Sequence, residues 1–407
     1  MKEKQIYLIG IGMGTEGTLT EKARELINKS QILIGAKRML EPFAKEGKEL
    51  FYSYKADEIK AYLCQKETFQ SACVLLSGDV GFYSGSKKLL EVLGDFEVEL
   101  IPGITSMVYF CSRLRTSWED VCFGSAHGKT INVIQRIQRY KKCFFLLDGE
   151  VSLKRLCEKL RYYGMEGVTL HVGENLSYED ERIVTGKPED FETMAFGTLL
   201  VVLIENVSAK NWVASSIPDE AFIRTKVPMT KSEVRTISIG KLQLEADSVV
   251  YDVGGGSGSV SVEMAMQSPD IKVYSVEKKP EALELMEQNK RKFAADNIEI
   301  IEGNAPEALE KLPAPTHAFI GGSSGNLDRI VDCIFEKNPM CRIVINTIAL
   351  NSMAQVMELF KSHPEYESDI VQIQASNAKQ AAGYQMMMGQ NPIYIITLWR
   401  KTQEARG

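Results

Sequence analysis

The chain has 407 residues, of which 44% are hydrophobic and 25% charged, and its formal net charge is −6. This length predicts two or three globular domains. With an acidic balance and no long basic run, a nucleic-acid partner is excluded; with no run of roughly 18–20 apolar residues, a membrane partner is excluded.

The first residues, MKEKQIYLIGIGMG, do not form a signal peptide, because the apolar run is short and passes into a glycine loop. We therefore expect a cytoplasmic protein. None of the eight cysteines forms a C-x-x-C pair, and the four histidines lack metal-ligand spacing. The sequence predicts reduced thiols and no protein-bound metal.

Short apolar strands alternate with helices in the first half of the chain, which predicts an α/β fold. The first strand is predicted over Gln5–Gly10. A helix is predicted over Thr18–Ser30, with Thr18 as N-cap and Glu21 completing a capping box. Further strands are predicted over 31–34, 73–76, 97–101, 143–147, 168–172 and 199–204.

Three loops of this half each follow a predicted strand. Parallel strands would bring them to one sheet edge, where open α/β sheets bind ligands. No carboxylate caps a strand about 20 residues further on, which disfavours a nicotinamide site, and any single loop could be purely structural. The predicted cofactor residues are Gly10, Gly12 and Gly14 in the first loop, Gly78, Asp79 and Val80 in the second, and Thr105 and Ser106 in the third.

Little periodicity is present after Asn206, and we place a linker at 207–228 between domains 1–206 and 229–407. The second domain is predicted to open with a helix over Thr230–Leu242, in which Thr230 is the N-cap and Glu233 completes a capping box. Five or more strands follow, with helices between them. This order predicts a doubly wound sheet.

A second glycine loop follows the predicted strand Val249–Val253. It consists of Gly254, Gly255, Gly256, Ser257 and Gly258, and Asp252 precedes it. Glycines allow a tight turn and close approach to a ligand, and the following helix N-terminus favours anions. Glu277 ends the next strand, where a carboxylate accepts hydrogen bonds from ribose hydroxyls.

Two classes of nucleoside enzyme compete for this loop. The dinucleotide fingerprint G-x-G-x-x-G would need glycine where Ser259 stands. The pattern D-x-G-x-G-x-G is similar to the first motif of Rossmann-like methyltransferases that use S-adenosylmethionine (SAM). A nicotinamide or flavin enzyme, or a glycine turn without a ligand, remains open at this point.

The two halves resemble two families of precorrin methyltransferases. YLIGIGMG, LLSGDVGFYSG, IPGITSMVYFCSRL and GENLSYEDERIVTGKPED resemble the C5-methylating branch of the tetrapyrrole C-methylases. VVYDVGGGSGSVSVEMA, EGNAPEALEKLP, AFIGGSSGNL and RIVINTIAL resemble the C15-methylating, decarboxylating enzymes. The first loop carries Met13 where the first family usually has proline, and Asn304 stands where an aspartate is common.

This resemblance implies a tetrapyrrole methylase fold of two α/β lobes, followed by a Rossmann-like methyltransferase domain. It implies SAM as methyl donor, a precorrin substrate that is metal-free or cobalt-loaded, and a homo-oligomer. It also implies that Thr230 borders the SAM site of the second domain and that Asn304 and Ala305 lie beside the adenine.

A precorrin carries many carboxylates, so an acidic protein needs local cations at its clefts. Lys231 and Arg235 are candidates in the second domain, and Arg113, Arg115 and Lys129 in the first. The turn 321–325, with Gly322 and Ser323, could offer backbone N–H groups to a carboxylate. His127 could move a proton or bind a substrate carboxylate.

Three alternatives stay open at the level of the sequence. They are a nicotinamide-dependent precorrin reductase, a SAM methyltransferase of another substrate, and a regulatory protein that binds SAM without turnover.

Overall fold

The computed structural model describes residues 4–44, 47–125, 131–211, 216–381 and 383–401. The chain forms two compact units. The first takes the residues up to Ile131 together with Tyr140–Ala209. The second takes the chain from Lys210 onward and also Asn132–Arg139, so it is discontinuous in sequence.

The first unit contains two sheets. Its strands are β1 Gln5–Gly10, β2 Ile32–Gly35, β3 Glu49–Tyr52, β4 Ser71–Leu76, β5 Glu97–Ile101, β6 Cys122–Ser125, β7 Lys142–Leu147, β8 Thr169–Glu174, β9 Arg182–Gly186 and β10 Leu200–Glu205. Its helices are α1 Glu21–Lys29, α2 Lys37–Leu40, α3 Ala56–Gln65, α4 Ser86–Val92, α5 Ser106–Arg113 and α7 Glu150–Tyr162. Helix α6, Val133–Arg139, lies between the last two in sequence and belongs to the second unit.

The two sheets of the first unit differ in strand direction. The first has the order β3-β2-β4-β1-β5 and is parallel throughout. The second has the order β6-β7-β10-β8-β9 and is antiparallel except for the pair β6 and β7. The predicted fold of two α/β lobes is confirmed.

The second unit is built on one seven-stranded sheet and a separate hairpin. Its helices are α6 Val133–Arg139, α8 Ser232–Leu242, α9 Ser259–Ala265, α10 Pro280–Lys292, α11 Leu327–Lys337 and α12 Leu350–Ser362. Its strands are β11 Val249–Val253, β12 Lys272–Glu277, β13 Ile298–Glu302, β14 His317–Ile320, β15 Arg342–Thr347, β16 Tyr366–Ile373, β17 Ser376–Ala381, β18 Tyr384–Gly389 and β19 Ile393–Arg400.

The strand order of the large sheet is β13-β12-β11-β14-β15-β19-β16, with β19 antiparallel to both of its neighbours. Successive strand residues point to opposite faces. Val250 therefore packs in the core shared with α8 and α9, whereas Tyr251 packs in the core shared with α11 and α12. Helices cover both faces, which confirms the doubly wound fold.

Two predicted helix starts are wrong. Helix α1 begins at Glu21, and its N-cap is Thr20, whose side chain accepts from the Ala23 N–H. Thr18 lies before it in a short 3-10 turn, where its hydroxyl accepts from the Met13 N–H. Helix α8 begins at Ser232 after Lys231. Thr230 is thus outside the helix, and Glu233 is too near the start to complete a capping box with it.

No helix within the described ranges is both long and apolar enough to cross a membrane.

Candidate functional site

The second glycine loop turns from β11 into α9 at the carboxyl edge of the parallel strands. Gly254, Gly256 and Gly258 all have positive φ, which other residues rarely adopt. A Cβ on Gly255 would lie 2.2 Å from the Ser275 hydroxyl oxygen. These four positions therefore require glycine, and the loop backbone is open to a ligand.

Glu277 stands at the end of β12 and orders this loop. One of its carboxylate oxygens accepts from the Gly256 N–H at 3.0 Å, and the other accepts from the N–H groups of Lys278 and Lys279. A carboxylate has about four lone-pair sites, of which these N–H groups take three, so the oxygen bonded to Gly256 can still accept from a ribose hydroxyl.

Asp252 lies beneath the loop and is fully buried. One carboxylate oxygen accepts from the hydroxyls of Ser261 and Ser275, and the other has no hydrogen-bond partner within the described part of the chain. Burial raises the pKa of Asp252 to about 6, and the nearby Glu277 charge adds to this rise, whereas the serine hydrogen bonds oppose it.

A cleft of about 1460 Å³ opens beside the loop. It holds most of the predicted cofactor residues of this unit, with Thr230 and Asn304 at its wall. The buried Ala305 also lines it. Besides these, the cleft is lined by Asp252, Gly254, Gly255, Gly256, Ser257, Glu277, Lys231, Gly322 and Ser323. Gly258 follows Ser257 and is the N-cap of α9.

The prediction that Arg235 is a cation for the substrate is wrong. Its side chain is 0% exposed and donates to Glu263, to Asp219 and to the backbone carbonyls of Thr230 and Ile217. Because its donors are committed inside the unit, Arg235 cannot contact a substrate. It links α8 to α9 and to the preceding segment.

Lys231 and the turn 321–325 are the other groups of the second unit that were predicted to bind a substrate carboxylate. Lys231 lines the cleft and pairs with Asp219 at 3.4 Å. The N–H groups of Gly321 and Gly322 both donate to the Val253 carbonyl. The prediction that Gly322 offers its N–H to a carboxylate is therefore wrong, whereas Ser323 stays a candidate.

The three glycine loops of the first unit converge, as predicted from their strand ends. Gly12 and Gly78 exchange backbone hydrogen bonds of 3.1 and 2.7 Å. The Asp79 carboxylate accepts from the Gly103 N–H at 2.9 Å. Thr105 caps α5 by accepting from the Val108 N–H. Gly10, Gly14, Val80 and Ser106 are the remaining predicted residues of these loops.

A fourth loop of the first unit was not predicted as part of this site. The hydroxyls of Thr15 and Ser177 are 2.9 Å apart, and Tyr178 is so close to Gly14 that a Cβ there would lie 2.6 Å from its phenol oxygen. The first of these contacts joins residues 162 positions apart in the chain. The local pattern carried no sign of them, although the segment lies within GENLSYEDE.

The cations predicted for the first unit are partly outside the described residues. His127 and Lys129 fall in the segment 126–130, which the structure does not describe. Arg113 pairs with Glu181 at 2.8 Å. No cluster of three or more potential metal-binding side chains occurs among the residues that the structure describes.

The fold and the second site together define a class. A doubly wound sheet, a D-x-G-x-G-x-G loop and a carboxylate ending the second strand belong to the α/β nucleoside-binding methyltransferases. The chain matches two family models: "Tetrapyrrole (Corrin/Porphyrin) Methylases" over residues 5–192 and "Precorrin methyltransferase domain" over residues 220–403.

Curated relatives match either the whole chain or its second part. A probable cobalt-precorrin-6B C(15)-methyltransferase (decarboxylating) of Methanocaldococcus jannaschii is 42% identical over 44% of this chain and 96% of its own length. A precorrin-6Y C(5,15)-methyltransferase [decarboxylating] of Sinorhizobium sp is 25% identical over 98% of this chain and 96% of its own. The chain belongs to the precorrin methyltransferase family, as the sequence resemblance predicted.

A solved structure titled precorrin-6y C5,15-methyltransferase, from Geobacter metallireducens GS-15, is 34% identical over 46% of this chain and 97% of its own, with a TM-score of 0.44.

The pH dependence of stability is expected to report on Asp252. Its folded pKa of about 6 lies above the value of about 3.9 in an unfolded chain. Between about pH 4 and 6, Asp252 is therefore protonated to a greater extent in the folded than in the unfolded chain. The contribution of Asp252 to stability is lost as the pH rises through that window.

Asp252→Asn should remove this dependence. Relative to wild type, we expect the variant to gain about 1–2 kcal/mol in free energy of unfolding between pH 5 and pH 7.5. Urea unfolding at both pH values measures the difference. Parallel stabilities of the two proteins across this range would show that Asp252 is ionised at both.

Proposed function

We propose that this chain methylates a precorrin at two carbons, with SAM as methyl donor. The first unit would act at C5, and the second at C15 with loss of CO2 from the acetate at C12. The observation that carries this proposal is the match of 98% of the chain to a C(5,15)-methyltransferase. The proposed place of action is the cytoplasm.

The residues of the second loop fit a SAM molecule. When bound, SAM supplies an electrophilic methyl group. Gly254, Gly255 and Gly256 let the backbone approach it, and Glu277 would accept from a ribose hydroxyl. Asn304 and Ala305 would border the adenine. The contribution of the protein is orientation of donor and acceptor, which lowers the entropic part of the barrier.

The cleft also offers cations to a polycarboxylate substrate. Lys231 is partly neutralised by Asp219, and Lys278 donates to the Ser324 hydroxyl. Ser323 also lines the cleft. A carboxylate held there would be removed from water, which favours its loss as CO2.

The direct test uses the whole chain, precorrin-6Y and SAM with a labelled methyl group. We expect two labelled methyl groups in the product and one released CO2. No label transfer and no CO2 release would favour a regulatory protein that only binds SAM. Thermal stabilisation by NADP, with none by SAM, would favour a precorrin reductase.

Gly103→Ala is expected to separate the two activities. A Cβ on Gly103 would lie 2.4 Å from the Gly78 carbonyl oxygen and 2.5 Å from that of Gly10. Both atoms belong to the backbone, so the three loops must move apart, at a cost of about 1–3 kcal/mol. We expect a product methylated at C15 only, which mass spectrometry and NMR of the product identify.

Gly85→Ala is the matched control, because nothing lies within 4 Å of the added Cβ and its φ is −74°. It should retain both methylations. Loss of C15 methylation with C5 methylation intact in Gly103→Ala would contradict the proposed division of labour.

A further inference from the structure

The hairpin of β17 and β18 stands apart from the large sheet and has two distinct faces. Asn377 pairs with Met388, and Lys379 pairs with Met386. Directly opposed residues of antiparallel strands share a face, and so do residues two apart. These four side chains therefore form one face, which we call the lysine–methionine face. Ala378, Gln380, Gln385 and Met387 lie on the other.

The lysine–methionine face is the one turned to the cleft. Asn377, Lys379 and Met388 all line the cleft, whereas none of the four residues on the opposite face does. The Asn377 side chain is hydrogen-bonded to Glu233 in the first turn of α8. The Gln390 N–H donates to the Ala375 carbonyl at 2.9 Å and closes the base of the hairpin. The hairpin is thus anchored with this face inward.

Charge is divided unevenly around the cleft. The side formed by the end of β12 and by α10 holds three carboxylates, Glu277, Glu281 and Glu284, together with the cations of Lys278 and Lys279. On the other side of β11, the lining residues come from the ends of β14 and β15 and from the hairpin, and the described ones include no carboxylate. They contribute amides, hydroxyls and the cation of Lys379. A polyanion therefore meets mixed charges on the first side, and a single cation with no carboxylate on the second.

The two methionines on this face are unusually exposed for apolar side chains. Met386 is 53% and Met388 49% exposed. Thioethers are polarisable and pack well against aromatic and conjugated rings, and they adapt to irregular shapes. A flat ring with charged groups at its rim would cover the methionines and place a carboxylate near Lys379.

We propose that the lysine–methionine face is the substrate-binding wall of the second site. Lys379 pairs with a peripheral carboxylate of the macrocycle, and Met386 and Met388 pack against the flat ring. This inference rests on the function proposed above, because the occupant is the polycarboxylated macrocycle. Lys379 and the two methionines are positioning and specificity residues that take no part in bond making.

The test uses the full chain and follows CO2 release, which reports on the second site alone. For Lys379→Ala and for Met388→Ala we expect the KM for precorrin-6Y to rise about tenfold, the loss of one charged hydrogen bond or one packed side chain. The dissociation constant for SAM should stay within about twofold of wild type. Lys379→Arg should restore most of the KM, since it keeps the charge.

Gln380→Ala and Met387→Ala, on the opposite face, are the matched controls and should leave the KM unchanged. Equal KM changes from both faces, or a changed molecular mass in solution that accounts for the loss, would overturn the inference in favour of a contact between copies of the chain. An unchanged KM in Lys379→Ala, with normal turnover by wild type, would overturn it while leaving the proposed function intact. Absence of CO2 release by wild type would overturn both.

Discussion

Replacing Glu263 by alanine is expected to destabilise the second unit by about 3–5 kcal/mol. Glu263 is 1% and Arg235 0% exposed, and their charged groups are in direct contact. Removing the carboxylate leaves a guanidinium buried without its main counter-charge. The N–H groups of Ser216 and Ile217 also lose their acceptor.

Urea unfolding followed by tryptophan fluorescence measures this loss. A Trp118→Phe background removes the only tryptophan of the first family region, which leaves the signal to the two tryptophans in the second half of the chain. Glu358→Ala is the control, because its ion pair with Lys361 is about 70% exposed and should change the stability by less than about 0.5 kcal/mol.

Replacing both members of the pair tests the cause. The double variant Arg235→Met, Glu263→Leu removes the unpaired charge, so it should be more stable than Glu263→Ala. It should not reach wild type, since the two backbone N–H groups remain without an acceptor. A double variant less stable than Glu263→Ala would show that the ion pair itself is not the source of the loss.

Replacing Glu277 by alanine is the second large effect that we expect, on SAM affinity at the second site. Hydrogen bonds to a charged group contribute about 1.5–3 kcal/mol, which predicts an affinity lower by about 10- to 150-fold. The variant also frees the Gly256 N–H, which the carboxylate orders in the wild type. Loss of loop order adds to the loss of the ribose contact.

Isothermal titration with SAM separates this effect from the first site. Wild type should show two classes of site, and Glu277→Ala should lose one of them. Glu284→Ala is the matched control, because Glu284 lines the same cleft on α10 and its carboxylate accepts from the Gln288 side chain of the same helix. A two-site isotherm that persists unchanged in Glu277→Ala would refute the assignment of Glu277.

The second glycine loop was predictable because its chemistry is local. Asp252, the glycines and Glu277 are set by the end of one strand and the end of the next, and both strands are plain apolar runs. The strand ends of the first unit likewise predicted that its three loops meet. Periodicity was sufficient in both cases, since parallel strands align their carboxyl ends.

Features that depend on distant residues were not predictable in the same way. An arginine is expected at the surface from its residue type, and only the packing of Glu263 and Ile217 around Arg235 shows that it is buried. Thr18 and Thr230 have the right residue type for N-caps, but the N-caps lie two residues later at Thr20 and one residue later at Lys231. The hairpin carries no strong hydrophobic pattern, because both of its faces are exposed.

The discontinuity of the second unit bears on how the gene for this protein can be divided. Gln135, on α6, is fully buried, and its amide donates to the Ala265 carbonyl and to the Asn297 side chain at 3.2 and 2.7 Å. A cut anywhere between the two family regions would put α6 on one polypeptide and these acceptors on the other. Splitting the chain into two separate enzymes, by evolution or by cloning, therefore requires new residues to cover that surface.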